Sequence, residues 1–160
     1  GGSRNGRHLW EVLFMEIFTS DRVGRTFVLK LEQGEDILEG IEKLIERENV
    51  ENAVVLSGIA TVDRLSLHMV TTLGYPFDYV MDNREEEPLE VASIDGFICD
   101  GEPHLHCVVS DTEKAYAGHL HHGCRVLYLC EIVIQELLGM SVQRHLNEKG
   151  ANHIYKKESE

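Results

Sequence analysis

The stretch HLHCVVSDTEKAYAGHL, residues 104–120, decides the fold because it holds two candidate strands and the turn between them. The first candidate, His104 to Ser110, is largely apolar, and the second runs from Tyr116 to Leu120. The polar segment Ser110 to Lys114 separates them by a distance typical of hairpins. The sequence therefore predicts an antiparallel pair at this point.

The segments on either side extend the same pattern. A strand is predicted from Arg25, and an amphipathic helix from Ile37 to about Glu48, with Ile37, Ile41, Leu44 and Ile45 on one face. Further strands are predicted at Ala53–Leu56, Arg64–Thr71, Leu89–Cys99 and Arg125–Gln135, with loops at Gly74, Pro76 and Asp82–Pro88. One main helix among six or more strands with few crossovers predicts an α+β fold with a mostly antiparallel sheet.

The length of 160 residues corresponds to one domain. Residues 1–14 begin Gly-Gly-Ser-Arg-Asn-Gly without apolar periodicity, so we interpret them as an expression leader. The alternative is that Leu9 to Phe14 is a native first strand. A single domain is expected over residues 15–145, followed by a polar C-terminal tail at 146–160.

The charge of the chain argues against several classes of partner. Asp and Glu number 28 against 15 Lys and Arg, which gives a formal net charge of -13 at pH 7. Affinity for nucleic acids comes mainly from cations that neutralise phosphates, so DNA is a doubtful partner. No apolar run approaches the roughly 20 residues of a membrane span, and we expect a soluble, cytoplasmic protein without a membrane partner.

The four cysteines do not form a recognisable site. Cys99, Cys107, Cys124 and Cys130 contain no C-x-x-C pair, which argues against a zinc ribbon or a thioredoxin-like redox motif. Reduced, buried thiols are expected, because free cysteine behaves as a small hydrophobic residue.

The histidines carry the strongest chemical signal. His104 and His106 are two residues apart in a strand, so their imidazoles lie on the same face. The hairpin pairing would bring His119 alongside them, and Gly118 would let the backbone turn tightly there. Three neutral imidazoles can hold zinc and leave a fourth position open. The alternative is that these rings line an exposed strand edge or hydrogen-bond in a polar pocket.

Other polar residues in the strands leave two interpretations open. His68 is expected to pack in the core or at an interface, with metal ligation as the alternative. Glu131 and Glu90 could orient a ligating histidine or point outward between strands. No Walker pattern or G-x-S-x-G elbow occurs, so nucleotide hydrolysis and a lipase-like serine mechanism have no support.

The order of these motifs resembles the plants-and-prokaryotes-conserved (PPC or PCC) domain, in its stand-alone prokaryotic form. The similarity covers about Arg25 to Leu138 and is carried by Gly34-Glu35-Asp36, Val54–Gly58, Glu90–Gly96, His104-Leu105-His106, Ala117–Leu120 and Glu131–Ile134. The resemblance implies a trimer-forming domain, hence a homotrimer, and a metal site at His104, His106 and His119. Ala117 departs from the family, which often has two glycines before the third histidine.

Two functions compete at this stage. The first is a homotrimeric metal-binding protein, with zinc as the expected metal and a small molecule as the candidate ligand; whether it is an enzyme stays open. The second is a DNA-associated or regulatory assembly module, as the family's usual description implies. The chain contains no Arg-Gly-Arg-Pro-type element of an AT-hook, the part that enters the minor groove in the plant proteins.

Overall fold

The computed structural model describes residues 15–158. Its elements in chain order are β1 (Arg22–Glu32), α1 (Ile37–Glu48), β2 (Ala53–Val70), β3 (Tyr79–Cys99), β4 (Glu102–Ser110), β5 (Ala115–Leu120), β6 (Arg125–Leu138), β7 (Val142–Leu146) and β8 (Asn152–Lys156). The predicted leader, residues 1–14, lies outside this range. Among the described residues, no helix has the length and apolar character that a membrane crossing requires.

Six strands form one sheet in the order β1-β6-β2-β3-β4-β5, and every neighbouring pair is antiparallel. Strand β5, at the end of this order, also pairs antiparallel with β2, so that Leu67 lies opposite Leu120 and His68 lies opposite His119. The β2-β3-β4-β5 part of the sheet therefore closes on itself. The predicted α+β class with a mostly antiparallel sheet is confirmed.

Helix α1 has the predicted bounds because local signals fix both of its ends. The Asp36 carboxylate caps it by accepting a hydrogen bond from the Glu39 backbone N–H at 2.9 Å. Asn49 ends it in the left-handed conformation. Of the predicted face, Ile37, Ile41 and Ile45 are buried and Leu44 is partly buried.

Strand β2 is longer than the sequence predicts. The two strands predicted at 53–56 and 64–71 are parts of one strand with irregular pairing. Its register against β6 shifts between Val55 and Ser57 and again around Val62. Such irregularities interrupt regular pairing without ending a strand, so the strand predicted to end at Leu56 continues to Val70.

The loop predicted at Asp82–Pro88 is wrong, because this segment lies inside β3. None of its side chains is buried, so a charged sequence fits a strand here. Arg84 pairs with Asp82 at 2.9 Å, and its guanidinium carbon lies 3.5 Å from the centre of the Tyr116 ring. The first contact lies within β3, and the second joins β3 to β5.

The polar segment after Gly139 also forms strands. Strands β7 and β8 pair antiparallel as a separate hairpin, which includes most of the segment expected to be a polar tail. The Asn152 amide donates a hydrogen bond to the Glu102 carboxylate at 3.3 Å. The hairpin thus lies beside the start of β4.

Candidate metal centre

Strand β4 separates its residues onto two faces. Leu105 and Cys107 are 2% and 3% exposed and belong to the core. His104 is partly exposed and His106 is exposed on the opposite face. The period of two along a strand makes this division, as the sequence predicts.

The neighbouring strand brings the third predicted histidine to the same place. His119 in β5 lies directly opposite His106 in β4. Ring centres are 4.9 Å apart between His104 and His119, and 5.4 Å apart between His106 and each of the other two. One nitrogen from each of the three rings lies within 4.8 Å of the others. The β4–β5 hairpin therefore brings together His104, His106 and His119, as the sequence predicts.

Gly118 positions His119 for a different reason from the one expected. It lies within β5 and its φ is not in the left-handed region, so it makes no tight turn. A Cβ atom at this position would stand 2.5 Å from the backbone oxygen of His68. Glycine is required because β5 and β2 approach closely here.

Two further histidines complete a cluster of five: His68, for which the sequence left metal ligation as the alternative, and His121, which was not predicted as a ligand. His68 in β2 stacks on His119 with ring centres 4.5 Å apart and planes 8° apart. The His121 ring lies 4.7 Å from that of His68 and 5.0 Å from that of His119. A signal was available, because His119-Leu120-His121 repeats the H-x-H spacing.

Four of the clustered histidines have lowered pKa values. Burial, followed by the neighbouring histidines, lowers the pKa of His119 to about 4. Burial is also the first cause that lowers the pKa values of His68, His104 and His121. For His104 the next cause is the positive charge of Arg144. At pH 7 these four imidazoles therefore carry a free lone pair each.

The acidic residues singled out in the strands lie elsewhere. Glu131 and Glu90 are exposed, Glu131 opposite Lys30 and Glu90 opposite Ser110. Within the described part of the chain, no hydrogen bond joins either carboxylate to a histidine. The outward orientation is the interpretation that fits.

A cleft of about 500 Å³ opens beside the cluster. It is lined by residues from β2, the β2–β3 connection, β4, β5 and the C-terminal hairpin: His68, Val70, Phe77, Glu102, Pro103, His104, His119, Ala151, Asn152 and His153. The wall formed by residues 151–153 comes from the segment predicted as a tail. The cleft combines imidazoles, a carboxylate and an amide with apolar surface, a mixture typical of small-molecule sites.

Comparison with curated proteins gives distant similarities to the bifunctional GlmU proteins of two Synechococcus strains. The chain is 27% identical over 115 residues to the bifunctional protein GlmU of Synechococcus sp., which covers 71% of this chain. The chain spans only 17% of the length of that relative.

Solved structures share the fold over most of the chain. A metal-containing protein from Archaeoglobus fulgidus is 25% identical with a TM-score of 0.77, covering 89% of this chain and 100% of that one. A plant- and prokaryote-conserved protein from Pyrococcus horikoshii is 25% identical with a TM-score of 0.72, covering 91% and 99%. A Bacteroides thetaiotaomicron protein, provisionally described as DNA-binding, is 18% identical with a TM-score of 0.68, covering 88% and 98%.

A family model settles the relationship that these similarities indicate. The model of the Plants and Prokaryotes Conserved (PCC) domain matches residues 18–138, from before β1 to the end of β6. This range includes the whole sheet and all five clustered histidines. The chain belongs to the Plants and Prokaryotes Conserved domain family.

Proposed function

We propose that the protein binds one divalent metal ion per chain through His104, His106 and His119, with zinc as the expected ion. The observation that carries the proposal is the convergence of three ring nitrogens within 4.8 Å of one another. Three imidazole ligands leave one position of a tetrahedral ion open, as in catalytic zinc sites.

The residues present fit such an ion chemically. A ligating imidazole must be neutral, and the lowered pKa values of His104 and His119 meet this requirement. All three rings retain some exposure, so an ion can reach them. The Archaeoglobus protein that shares the fold contains a metal, which agrees with the proposal.

The cleft beside the cluster supports a role with a small molecule. A bound zinc ion supplies a Lewis acid and a lowered pKa for coordinated water. The chain itself offers Glu102 and Asn152 at the wall of the cleft, as a hydrogen-bond acceptor and donor. We propose that these groups orient a small polar ligand next to His104.

Elemental analysis of purified, untagged protein tests the metal site. We expect one equivalent per chain in the wild type and loss of most of it in His104→Ala and His119→Ala. His145→Ala is the matched control, because this exposed histidine stacks on Tyr155 in the separate β7–β8 hairpin. Folded His104→Ala and His119→Ala proteins that keep a full equivalent would place the metal elsewhere.

We also propose that the protein assembles as a homotrimer. Large apolar side chains remain exposed on adjacent strands of the sheet, among them Val28 in β1, Tyr128 in β6 and Ile59 in β2, at 75%, 72% and 45%. Apolar surface of this kind is commonly covered by another subunit. Light scattering should give three times the chain mass of 18.1 kDa. A monomer at micromolar concentration would contradict the trimer.

DNA binding receives less support than metal binding. The similarity to the Bacteroides protein, at 18% identity, concerns the fold alone. Because the net charge is -13, we expect duplex DNA to bind more weakly than the usual non-specific Kd of about 10⁻⁴–10⁻⁶ M. A gel shift at physiological salt tests this, and micromolar binding that falls steeply with salt would favour the DNA-associated alternative.

A further inference from the structure

His119 lies opposite His106 of β4 on one side and opposite His68 of β2 on the other. The His121 ring contacts His68 on this second side. His68 comes from β2 and His121 follows β5, so neither belongs to the H-x-H motif of β4. One nitrogen from each of His68, His119 and His121 lies within 4.8 Å of the others. Like the three expected ligands, these three histidines therefore bring their ring nitrogens within 4.8 Å of one another.

The two nitrogens of the pair point at each other. His68 Nδ1 and His121 Nε2 are 2.5 Å apart, which is too close for both atoms to carry a proton. At least one lone pair therefore faces the gap between the rings. Two imidazoles on one tetrahedral zinc ion hold their nitrogens about 3.3 Å apart, given bonds of about 2.0–2.1 Å. A small outward rotation of these partly exposed rings would open the gap to that separation.

His119 belongs to both sets and limits how they are used. Its ring centre lies within 5.4 Å of those of all four other clustered histidines. A neutral imidazole has one lone pair for a metal, because its other nitrogen carries the proton. His119 can therefore complete one set of three at a time.

We propose that His68 and His121, together with His119, form a second ligand set, so that one divalent ion per chain has two alternative positions in the cluster. The inference rests on the proposed function, since the first position is the one at His104, His106 and His119. It adds a role for the two histidines that the H-x-H motif does not include. A single ion would occupy one position at a time, with His119 as the residue common to both ligand sets.

Zinc stoichiometry of a double variant tests the second set. After circular dichroism has confirmed folding, His104→Ala/His106→Ala should still bind one zinc equivalent, about twofold more weakly than the wild type if the two positions are equal in affinity. Adding His121→Ala should abolish this binding, whereas adding His145→Ala, whose exposed ring stacks on Tyr155 in the β7–β8 hairpin, should not. A double variant that binds no zinc, beside a wild type that binds one equivalent, overturns the inference and leaves the proposed function intact.

The other results are equally distinct. A wild type without any metal overturns both proposals, and a wild type that holds two equivalents overturns the sharing of His119. If His68→Ala/His121→Ala alone removes the ion, the second set is supported and the first position is wrong.

Cobalt provides a readout that does not need the first double variant to fold. Visible absorption of bound Co²⁺ depends on its ligands, so wild-type protein with two positions should differ from His68→Ala/His121→Ala, which has one. Both proteins should bind one equivalent, and the variant about twofold more weakly if the positions are equal in affinity. Identical spectra and affinities would overturn the inference.

Discussion

The two faces of β4 carry the two residue types that most often bind zinc, and the fold uses them in opposite ways. Cys107 is on the buried face, where burial raises the pKa of its thiol to about 12. His104 is on the other face, where burial is the first cause that lowers its pKa. One physical effect, the cost of holding a charge away from water, therefore acts on both.

The consequences differ because the ligand forms differ. A cysteine binds metal as the charged thiolate, so burial that raises the thiol pKa makes it a poorer ligand. A histidine binds as the neutral ring, so partial burial prepares it as a ligand. Cys124 and Cys130 repeat the first case, with thiol pKa values raised by burial to about 11 and about 12. Metal chemistry in this domain is therefore expected from the histidine face alone.

Acid release of the metal should show the largest difference between the two faces. Because the pKa of His119 is lowered to about 4, protons compete for its nitrogen only well below the ordinary value of about 6.5. Zinc should stay bound as the pH falls through 6.5 and should be lost as it falls through about 4. Equilibrium dialysis at a series of pH values measures this, and full release already at about 6.5 would contradict it.

The metal-free protein gives the matching stability measurement. In the unfolded chain His119 takes up a proton near pH 6.5, whereas in the folded chain it does so near 4. Stability is therefore unaffected above this window and falls as the pH drops through it. Urea unfolding should show a shallower fall for His119→Ala, with His145→Ala behaving as the wild type.

Gly118→Ala tests the position of His119 without replacing any of the proposed ligands. The added Cβ would stand 2.5 Å from the His68 backbone oxygen, so β5 must shift away from β2. We expect a loss of about 1–3 kcal/mol in the free energy of unfolding, together with weaker zinc binding. Gly74→Ala is the matched control, because nothing lies within 4 Å of its added Cβ. Equal effects of the two substitutions would contradict the close-approach role.

Cys107→Ser tests the buried face and should have the smallest effect on the site. It places a hydroxyl among apolar side chains, which costs about 1–3 kcal/mol of stability when no partner is available. Zinc stoichiometry should stay at one equivalent. Cys107→Ala adds no polar group and should destabilise less. Loss of metal from folded Cys107→Ser protein would show that the two faces are not independent.

The sequence was sufficient where the signals are local. The hairpin of β4 and β5 follows from two apolar runs around a polar turn, and α1 follows from its cap at Asp36 and its spaced isoleucines. These features place His104, His106 and His119 together without any knowledge of distant parts of the chain.

The sequence was insufficient where position depends on non-local pairing. His68 enters the cluster through the register of β2 against β5, more than 50 residues away in the chain. The strand at 82–88 depends on partners in β2, which its charged sequence does not reveal. Nor does the composition of residues 146–160 indicate that Asn152 will approach Glu102.

The return of β5 to β2 has a consequence for how an ion would be received. Pairing on both sides of β5 holds His119 in place through backbone hydrogen bonds, whether or not anything is bound. Zinc fingers must order their chain when they bind the ion, whereas in this domain the histidines are already ordered once the protein has folded. The affinity for a metal ion would therefore not be reduced by a folding cost, and removal of the ion by a chelator would leave the sheet and the arrangement of its histidines unchanged.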